Sequence, residues 1–399
     1  MDTISIVLVV LGIIIALVFN FSNGRNNASN AVATVVATHA LSPGKAIVIA
    51  SICCLAGPFV FSTAVAKTIG NGIVNPELFT PVLMFIGLCG SVLWVNICSR
   101  AGIPVSSTHA LVGGLIGAGI AAAGWSAVFW PTPDMLIGTL FFVLGGAAAG
   151  ALVALILAFI FKERIGLFLL SGAGIGGILA IPLALVLGIF PGSNILSILL
   201  FICVSPMLGI VAAYTFTAIL TRILARCSKA PMRLNRWFQR LQVVGSAFQA
   251  LTIGGNDAQN AMGIIFAILV SAGAVSASAE LPLWVIITSA IAITLGMLLG
   301  GWKIIKNVGS GITRIMPYQG FSATTTGGLV LTLMTACGIP VSTTHVAGGA
   351  IIGTGMTRGA GGINWKTVLR MLSAWVITIP CAAVVSWIIY FAASHIFGF

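Results

Sequence analysis

Acidic side chains are almost missing from this chain: its 399 residues hold six Asp and Glu in all, and charged residues of both signs make up only 6%. An ordinary soluble domain carries about 25% charged residues. With 59% hydrophobic residues and a mean hydropathy of +1.16, the chain has too little polar surface to cover itself in water and requires lipid as its solvent. The scarcity of acids removes function classes as well. The sequence offers no acidic metal cluster, no nucleophile–base set and no soluble catalytic domain, so it does not read as an enzyme. The eight Cys are scattered, mostly in apolar runs as at Cys53, Cys54, Cys89 and Cys203, and lack paired ligand spacing. They read as small core residues rather than disulfides or metal ligands. A basic leader segment and a small-residue cleavage site are also lacking at the start, so Thr3–Phe21 is expected to be a first spanning helix and not a signal peptide.

What charge there is has one sign and one focus. Of the net +12, Arg222, Arg226, Lys229, Arg233, Arg236 and Arg240 fall in one short segment without an acid among them. In a chain of this composition the positive-inside rule places residues 222–240 in a cytoplasmic loop, in contact with lipid headgroups rather than nucleic acid. Long apolar runs at Ala46–Ala66, Phe79–Cys98, Met135–Phe159, Ile165–Phe190 and Ile195–Leu220 precede or reach that loop. Leu241–Ile253, Leu281–Gly300, Phe321–Ala336 and Val368–Phe391 follow it. Four shorter pieces, Ala28–Ala40, Pro104–Ala123, Ala258–Ser271 and Pro340–Gly355, look too short or too broken to span alone. Broken helices persist in lipid only where protein or a water-filled cavity satisfies their backbone, and paired ones in two halves point to a transporter binding site.

The two halves are visible as a duplication. Gly24-Arg25-Asn26-Asn27-Ala28-Ser29-Asn30-Ala31 aligns without gaps to Gly254-Gly255-Asn256-Asp257-Ala258-Gln259-Asn260-Ala261. Gly102-Ile-Pro104-Val-Ser106-Ser107-Thr108-His109 matches Gly338-Ile-Pro340-Val-Ser342-Thr343-Thr344-His345, and each copy continues into a Gly-Gly pair, Gly113-Gly114 and Gly348-Gly349. The motifs are separated by 77 residues from Asn27 to Pro104 and by 83 from Asp257 to Pro340. The expected organisation is a first transmembrane repeat (1–160), intervening helices (161–221), the basic loop (222–240) and a second repeat (241–399).

Each motif has its own chemistry. Pro in the first helical turn, followed by Ser and Thr, makes a helix start with hydroxyls beside unsatisfied N–H groups, which is a ready anion site. Two such starts can clasp a tetrahedral oxyanion from both sides through Ser106, Ser107, Thr108, Ser342, Thr343 and Thr344. The Asn-rich motif supplies hard oxygen ligands for a small cation: Asn23, Asn26, Asn27 and Asn30 in one half, Asn256, Asp257 and Asn260 in the other, with Asp257, Asn256 and Asn26 as the candidate sodium ligands. Of the acids Asp2, Glu77, Asp134, Glu163, Asp257 and Glu280, only Asp257 lies inside a repeated motif. A carboxylate there costs at least ~2.5 kcal/mol to insert and marks function. His109 and His345 are expected to pack helices, and His39, whose counterpart is Leu269, to be a packing or interface residue.

The run from Asn23-Gly24 through Asn30-Ala-Val-Ala-Thr-Val-Val-Ala-Thr-His-Ala-Leu-Ser-Pro43, Gly-Gly-Asn-Asp-Ala-Gln-Asn-Ala261 and both Pro-Val-Ser motifs resemble the signatures of the inorganic phosphate transporter (PiT) family over nearly the whole chain. The resemblance implies an all-α polytopic membrane protein of two inverted repeats with re-entrant half-helices and about 10–12 membrane segments. It implies a symporter of the cell membrane, binding inorganic phosphate between the half-helices with sodium or protons as coupling cation, without a cofactor, its termini outward; a homodimer is left open. A sulfate or related oxyanion permease of the same fold is the alternative, with an uncoupled anion channel behind it. The family has Asp where this chain has Asn20 and Asn27, Glu where it has Thr324, and a small or aromatic residue where it has Arg25. Arg25 admits two readings: fixed positive charge for the substrate, or a side chain reaching to the membrane interface.

Overall fold

The computed structural model describes residues 3–71, 80–161, 165–189, 195–226 and 231–397. Its helices are α1 (Thr3–Ala37), α2 (Pro43–Val60), α3 (Ala64–Asn71), α4 (Pro81–Ala101), α5 (Ser107–Ala123), α6 (Pro133–Phe161) and α7 (Ile165–Val186). They continue as α8 (Ile195–Arg226), α9 (Pro231–Ser271), α10 (Leu283–Leu299), α11 (Trp302–Gly311), α12 (Pro317–Ala336), α13 (Thr343–Met356) and α14 (Trp365–Phe397). Among the described residues seven helices are long and apolar enough to cross a membrane, and the outer faces of α6, α8 and α14 carry bare Phe, Leu and Ile side chains that only lipid can solvate.

The repeats are inverted. Helices α1 and α9 carry the equivalent Asn motifs and cross antiparallel: Ile268 lies against Gly12, Asn27 donates to Asp257, Ser246 donates to the Ala31 carbonyl, and Thr38 donates to Gln242. The rest follows that twofold relation. Helix α10 crosses α1 where α2 crosses α9, with Gly24 and Gly254 at the two crossings. A Cβ on Gly24 would lie 2.0 Å from the Ile293 carbonyl, and one on Gly254 would lie 2.1 Å from that of Cys54, so both positions require glycine. Helix α14 packs on α4 and α5, while α8 packs on α12 and α13.

Three features differ from the expectations. The Asn motifs do not begin new half-helices, because α1 and α9 run unbroken through them; the polar residues face a protein interior, and the backbone has no reason to open. The breaks fall elsewhere, at residues 61–63 between α2 and α3 and at Gly300-Gly301 between α10 and α11. Second, little of the basic stretch is loop: α8 extends to Arg226 and α9 starts at Pro231, while residues 227–230, with Lys229, lie outside the described residues. Third, the two Gly-Gly pairs are out of register. Gly113 and Gly117 touch the Ile379 and Ala383 carbonyls of α14, and their structural equivalents are Gly349 and Gly353, against the Pro206 and Ile210 carbonyls of α8.

Helices α5 and α13 are the expected half-helices. At 17 and 14 residues they reach about 26 and 21 Å, short of a ~30 Å hydrocarbon core. Each follows a Gly in the left-handed region, Gly102 at φ 73° and Gly338 at φ 69°, which ends α4 and α12 and turns the chain into the Pro-Val-Ser segment. His39 plays the same terminating part for α1: at φ 55° it is the one non-glycine residue with positive φ among those described. Ala40 N–H bonds to the Val35 carbonyl there and His39 N–H to that of Val36.

Candidate functional site

The site lies where α1 and α9 cross between the starts of α5 and α13. Ser106 and Ser342 are the N-caps of those two helices, their hydroxyls accepting from His109 N–H at 3.2 Å and His345 N–H at 3.3 Å. The two helix starts meet: the His109 and His345 rings are 4.7 Å apart, edge to face, and His345 also stacks on Trp375 at 4.1 Å. The six hydroxyl residues, Ser106, Ser107, Thr108, Ser342, Thr343 and Thr344, are all buried.

The Asn motifs tie these starts together with near-twofold symmetry. Asn26 Nδ2 donates to the Val105 carbonyl at 2.7 Å, and Asn256 Nδ2 to the Val341 carbonyl at 3.1 Å, each holding the segment that leads into its own half-helix. Asn30 and Asn260 reach across the repeats, to Thr344 Oγ1 at 3.0 Å and Thr108 Oγ1 at 3.1 Å. On the axis sit the two residues that break the symmetry, Asn27 and Asp257. Asn27 Nδ2 donates to Asp257 Oδ2 at 2.5 Å, Thr343 Oγ1 donates to the same oxygen at 2.8 Å, and Asn256 Nδ2 donates to Oδ1 at 3.0 Å. Asn27 Nδ2 also donates to Asn23 Oδ1 at 2.6 Å, and its Oδ1 accepts from Asn30, Thr344 and Asn26.

One amide and one carboxylate can bond each other directly. Two carboxylates at this separation would repel unless they shared a proton or a cation. Asp257 is surrounded by neutral donors contributed by both repeats, so a single carboxyl group is held at the centre by hydrogen bonds from each half. No cluster of three or more His, Cys, Asp or Glu occurs among the described residues; a cation here would meet amide and hydroxyl oxygens with one carboxylate, a donor set suited to a monovalent hard ion.

Bond satisfaction is uneven between the halves. On the first-repeat side, Asn20 Oδ1, Asn23 Nδ2, Asn26 Oδ1 and Ser107 Oγ are buried without a hydrogen-bond partner. Their second-repeat counterparts are occupied where they are polar: Thr335 Oγ1 donates to Asn256 Oδ1 at 3.1 Å, and Thr343 donates to Asp257. Orphaned polar atoms cost about 1–3 kcal/mol each, and such a group persists where something else satisfies it in use.

Two sequence-singled positions fall outside this constellation. Arg25 turns away from the hydroxyls: its guanidinium donates to Asn96 Oδ1 at 2.7 Å and lines a separate cavity with Ser99, Arg100 and Lys303. Thr324 bonds its own helix, to the Gly320 carbonyl at 3.0 Å. Asn20, for its part, holds α10 by donating to the Ser289 carbonyl at 2.8 Å. Sequence reasoning missed Gln259, inside the second motif. Its Nε2 donates to the Ser62 carbonyl at 2.8 Å and its Oε1 accepts from Ala66 N–H at 3.0 Å, so it satisfies the break between α2 and α3. It also missed Asn96 and Thr335, which lie in apolar runs with no motif around them and whose role appears only once the helices are packed.

Inverted repeats, half-helices whose hydroxyl-bearing starts oppose each other, and ion-suited side chains on the axis define a multi-pass membrane transporter with its site at the repeat interface. The profile of the phosphate transporter family matches residues 23–170 and again 168–386, once for each half. The chain belongs to this family and is not an enzyme. It is 36% identical over 381 residues, 96% of this chain and 95% of the relative, to a protein of Rhizobium meliloti named "Probable low-affinity inorganic phosphate transporter". It is 35% identical over 394 residues, 98% of this chain and 99% of the relative, to a Bacillus subtilis protein of the same name. A solved structure titled "The sodium-dependent phosphate transporter" superposes with a TM-score of 0.68 at 24% identity, covering 98% of this chain and all of that one, and so shares the fold.

Proposed function

We propose that this protein takes up inorganic phosphate across the plasma membrane by symport, with the substrate held between the starts of α5 and α13 and a monovalent cation bound beside Asp257. The observation that carries this reading is the meeting of two Ser-capped helix starts, joined across the repeats by the Asn30–Thr344 and Asn260–Thr108 bonds. A tetrahedral oxyanion fits there because each start presents free N–H groups, hydroxyls and the positive end of a helix dipole, with no bulky cation to desolvate. Sodium coupling is supported by the donor set and by the name of the structural relative. The Asn27–Asp257 pair supports a single coupling charge at the axis, since an amide cannot carry a proton and holds a cation less strongly than a carboxylate.

The geometry supports alternating access. The site is made of one half-helix from each repeat, so rocking one repeat against the other opens it to one side while the cross-repeat bonds rearrange. The arginines of 222–240 support a cytoplasmic position for the end of α8 and the start of α9 by the positive-inside rule. Because α1 runs antiparallel to α9, the N-terminus then faces outward. Uptake of radiolabelled phosphate into proteoliposomes, with imposed sodium or pH gradients and sulfate as competitor, tests the reading. It expects uphill uptake driven by one of the two gradients and little inhibition by sulfate. Transport that only follows the anion gradient would show a channel, and equal inhibition by sulfate would show a broader oxyanion permease.

A further inference from the structure

Arg25, Ser99, Arg100, Gly300, Gly301 and Lys303 line an open cavity of about 570 Å³ where the end of α4 meets the break between α10 and α11. Three of these residues are cations, and no carboxylate lines the space. Helix α11 starts on the cavity. Its N-cap, Gly301, offers no side chain, and the first bond within the helix runs from Ile305 N–H to the Gly301 carbonyl, so the N–H groups of Trp302, Lys303 and Ile304 have no acceptor within their helix. Ser99 supplies an independent sign. It is 7% exposed, it lines the same cavity, and its Oγ has no hydrogen-bond partner.

The repeat provides the control. Under the alignment of the motifs, Arg25 corresponds to Gly255, Arg100 to Ala336 and Ser99 to Thr335. Residues 303–309, Lys-Ile-Ile-Lys-Asn-Val-Gly, align to 64–70, Ala-Val-Ala-Lys-Thr-Ile-Gly, which places Lys303 opposite Ala64. None of the three cations therefore has a cationic counterpart. At the corresponding junction Phe61 stands where Gly300 does and lies against Gly255, the counterpart of Arg25, so an uncharged ring occupies that place. There Thr335 is tied to Asn256, whereas Ser99 and Asn26 Oδ1 both remain open. A duplicated scaffold has acquired positive charge, space and open donors on one side only.

We propose that this cavity is a second oxyanion site, distinct from the hydroxyl cluster, that takes a phosphate group. Arg25 is held in place by Asn96, which accepts its Nη2 proton at 2.7 Å and itself donates to Ser22 at 3.0 Å. Arg100 and Lys303 are exposed and approach from the rim, with Lys303 Nζ on the Arg100 carbonyl at 3.2 Å. Guanidinium groups and an uncapped helix start recognise tetrahedral oxyanions whether these are free inorganic phosphate or the headgroup of an anionic phospholipid. The site does not depend on which cation drives transport.

The test uses the purified full-length protein. Equilibrium binding of radiolabelled inorganic phosphate in detergent gives the number bound per chain. Native mass spectrometry after release from nanodiscs of phosphatidylglycerol gives the lipid retained. R100Q/K303Q changes two exposed residues, and an unchanged melting temperature would show that it folds. If free phosphate is the ligand, the double variant binds one phosphate per chain where the parent binds two, and T343A removes the other. If the headgroup is the ligand, the parent retains one phosphatidylglycerol and the double variant none, while R100K/K303R retains it. A folded R100Q/K303Q with the parent's phosphate stoichiometry and lipid retention overturns the proposal. Failure of T343A to change phosphate binding would count against the central site instead.

Discussion

Replacing Asp257 by Asn removes the one charge on the axis while changing the side chain's shape little. The carboxylate accepts from Asn27 at 2.5 Å, Thr343 at 2.8 Å and Asn256 at 3.0 Å. An amide oxygen in the Oδ2 position keeps the bonds from Asn27 and Thr343, but its NH2 then faces the Asn256 amide, so one bond of three is lost. Hydrogen bonds to a charged group contribute about 1.5–3 kcal/mol against about 0.5–1.5 for neutral ones, so replacing three of the first kind by two of the second weakens the network by about 3.5–6 kcal/mol. Relief from burying a charge offsets part of that cost, and the fold should survive. The effect on a bound cation is larger. A unit charge pair 4 Å apart at an effective dielectric near 20 interacts by ~4 kcal/mol, which corresponds to roughly a thousandfold in cation affinity. Phosphate uptake by D257N into proteoliposomes is therefore expected to lose its response to the driving cation gradient over the accessible concentration range, with the protein still monodisperse. A folded D257N whose uptake keeps the parent's cation dependence would refute the assignment of Asp257 as the coupling residue.

Other expectations follow from the same geometry. Asn27→Asp places two carboxylates in the contact now bridged by an amide, so its melting temperature should rise with sodium or with acid more steeply than the parent's. Ser342→Ala removes an N-cap bond and should lower stability by about 0.5–2 kcal/mol in thermal unfolding, with an accompanying rise in the KM for phosphate. Thr344→Val deletes the hydroxyl that accepts from Asn30 and donates towards Asn27, and should raise KM more than Ser342→Ala does, because it also unties the repeats. Gly24→Ala would set a methyl 2.0 Å from the Ile293 carbonyl at the crossing of α1 and α10; loss of monodisperse, detergent-soluble protein is expected in size-exclusion chromatography.

The lipid environment, the duplication and the identity of the site's chemical groups were legible in the sequence because they rest on composition and on local patterns. The Pro-Val-Ser starts became N-capped half-helices as the local rules require, since Pro, Ser and Thr act on their own helix turn. Asp257 stood out as the one acid of six inside a repeated motif. The breaks were misplaced for a physical reason: a polar stretch such as Asn26-Asn27-Ala-Ser-Asn30 looks like an interruption, yet inside a protein-lined interface its side chains bond other side chains and leave the helical backbone intact. Which glycine of each Gly-Gly pair must be bare depends on where α14 and α8 cross, which the sequence motif does not state.

The sequence by itself determined that this is a lipid-solvated chain of two related halves with opposed hydroxyl and amide motifs, because hydropathy, repetition and capping chemistry act over a few residues at a time. Only the tertiary structure decided that Asn27 and Asp257 meet across the axis, and that Asn30 and Asn260 each serve the other repeat. It also decided that Arg25 belongs to a cationic cavity with Arg100 and Lys303. Those pairings join residues up to 314 positions apart, and which side chains share a buried contact is fixed by how inverted helices cross, a relation that no local pattern encodes.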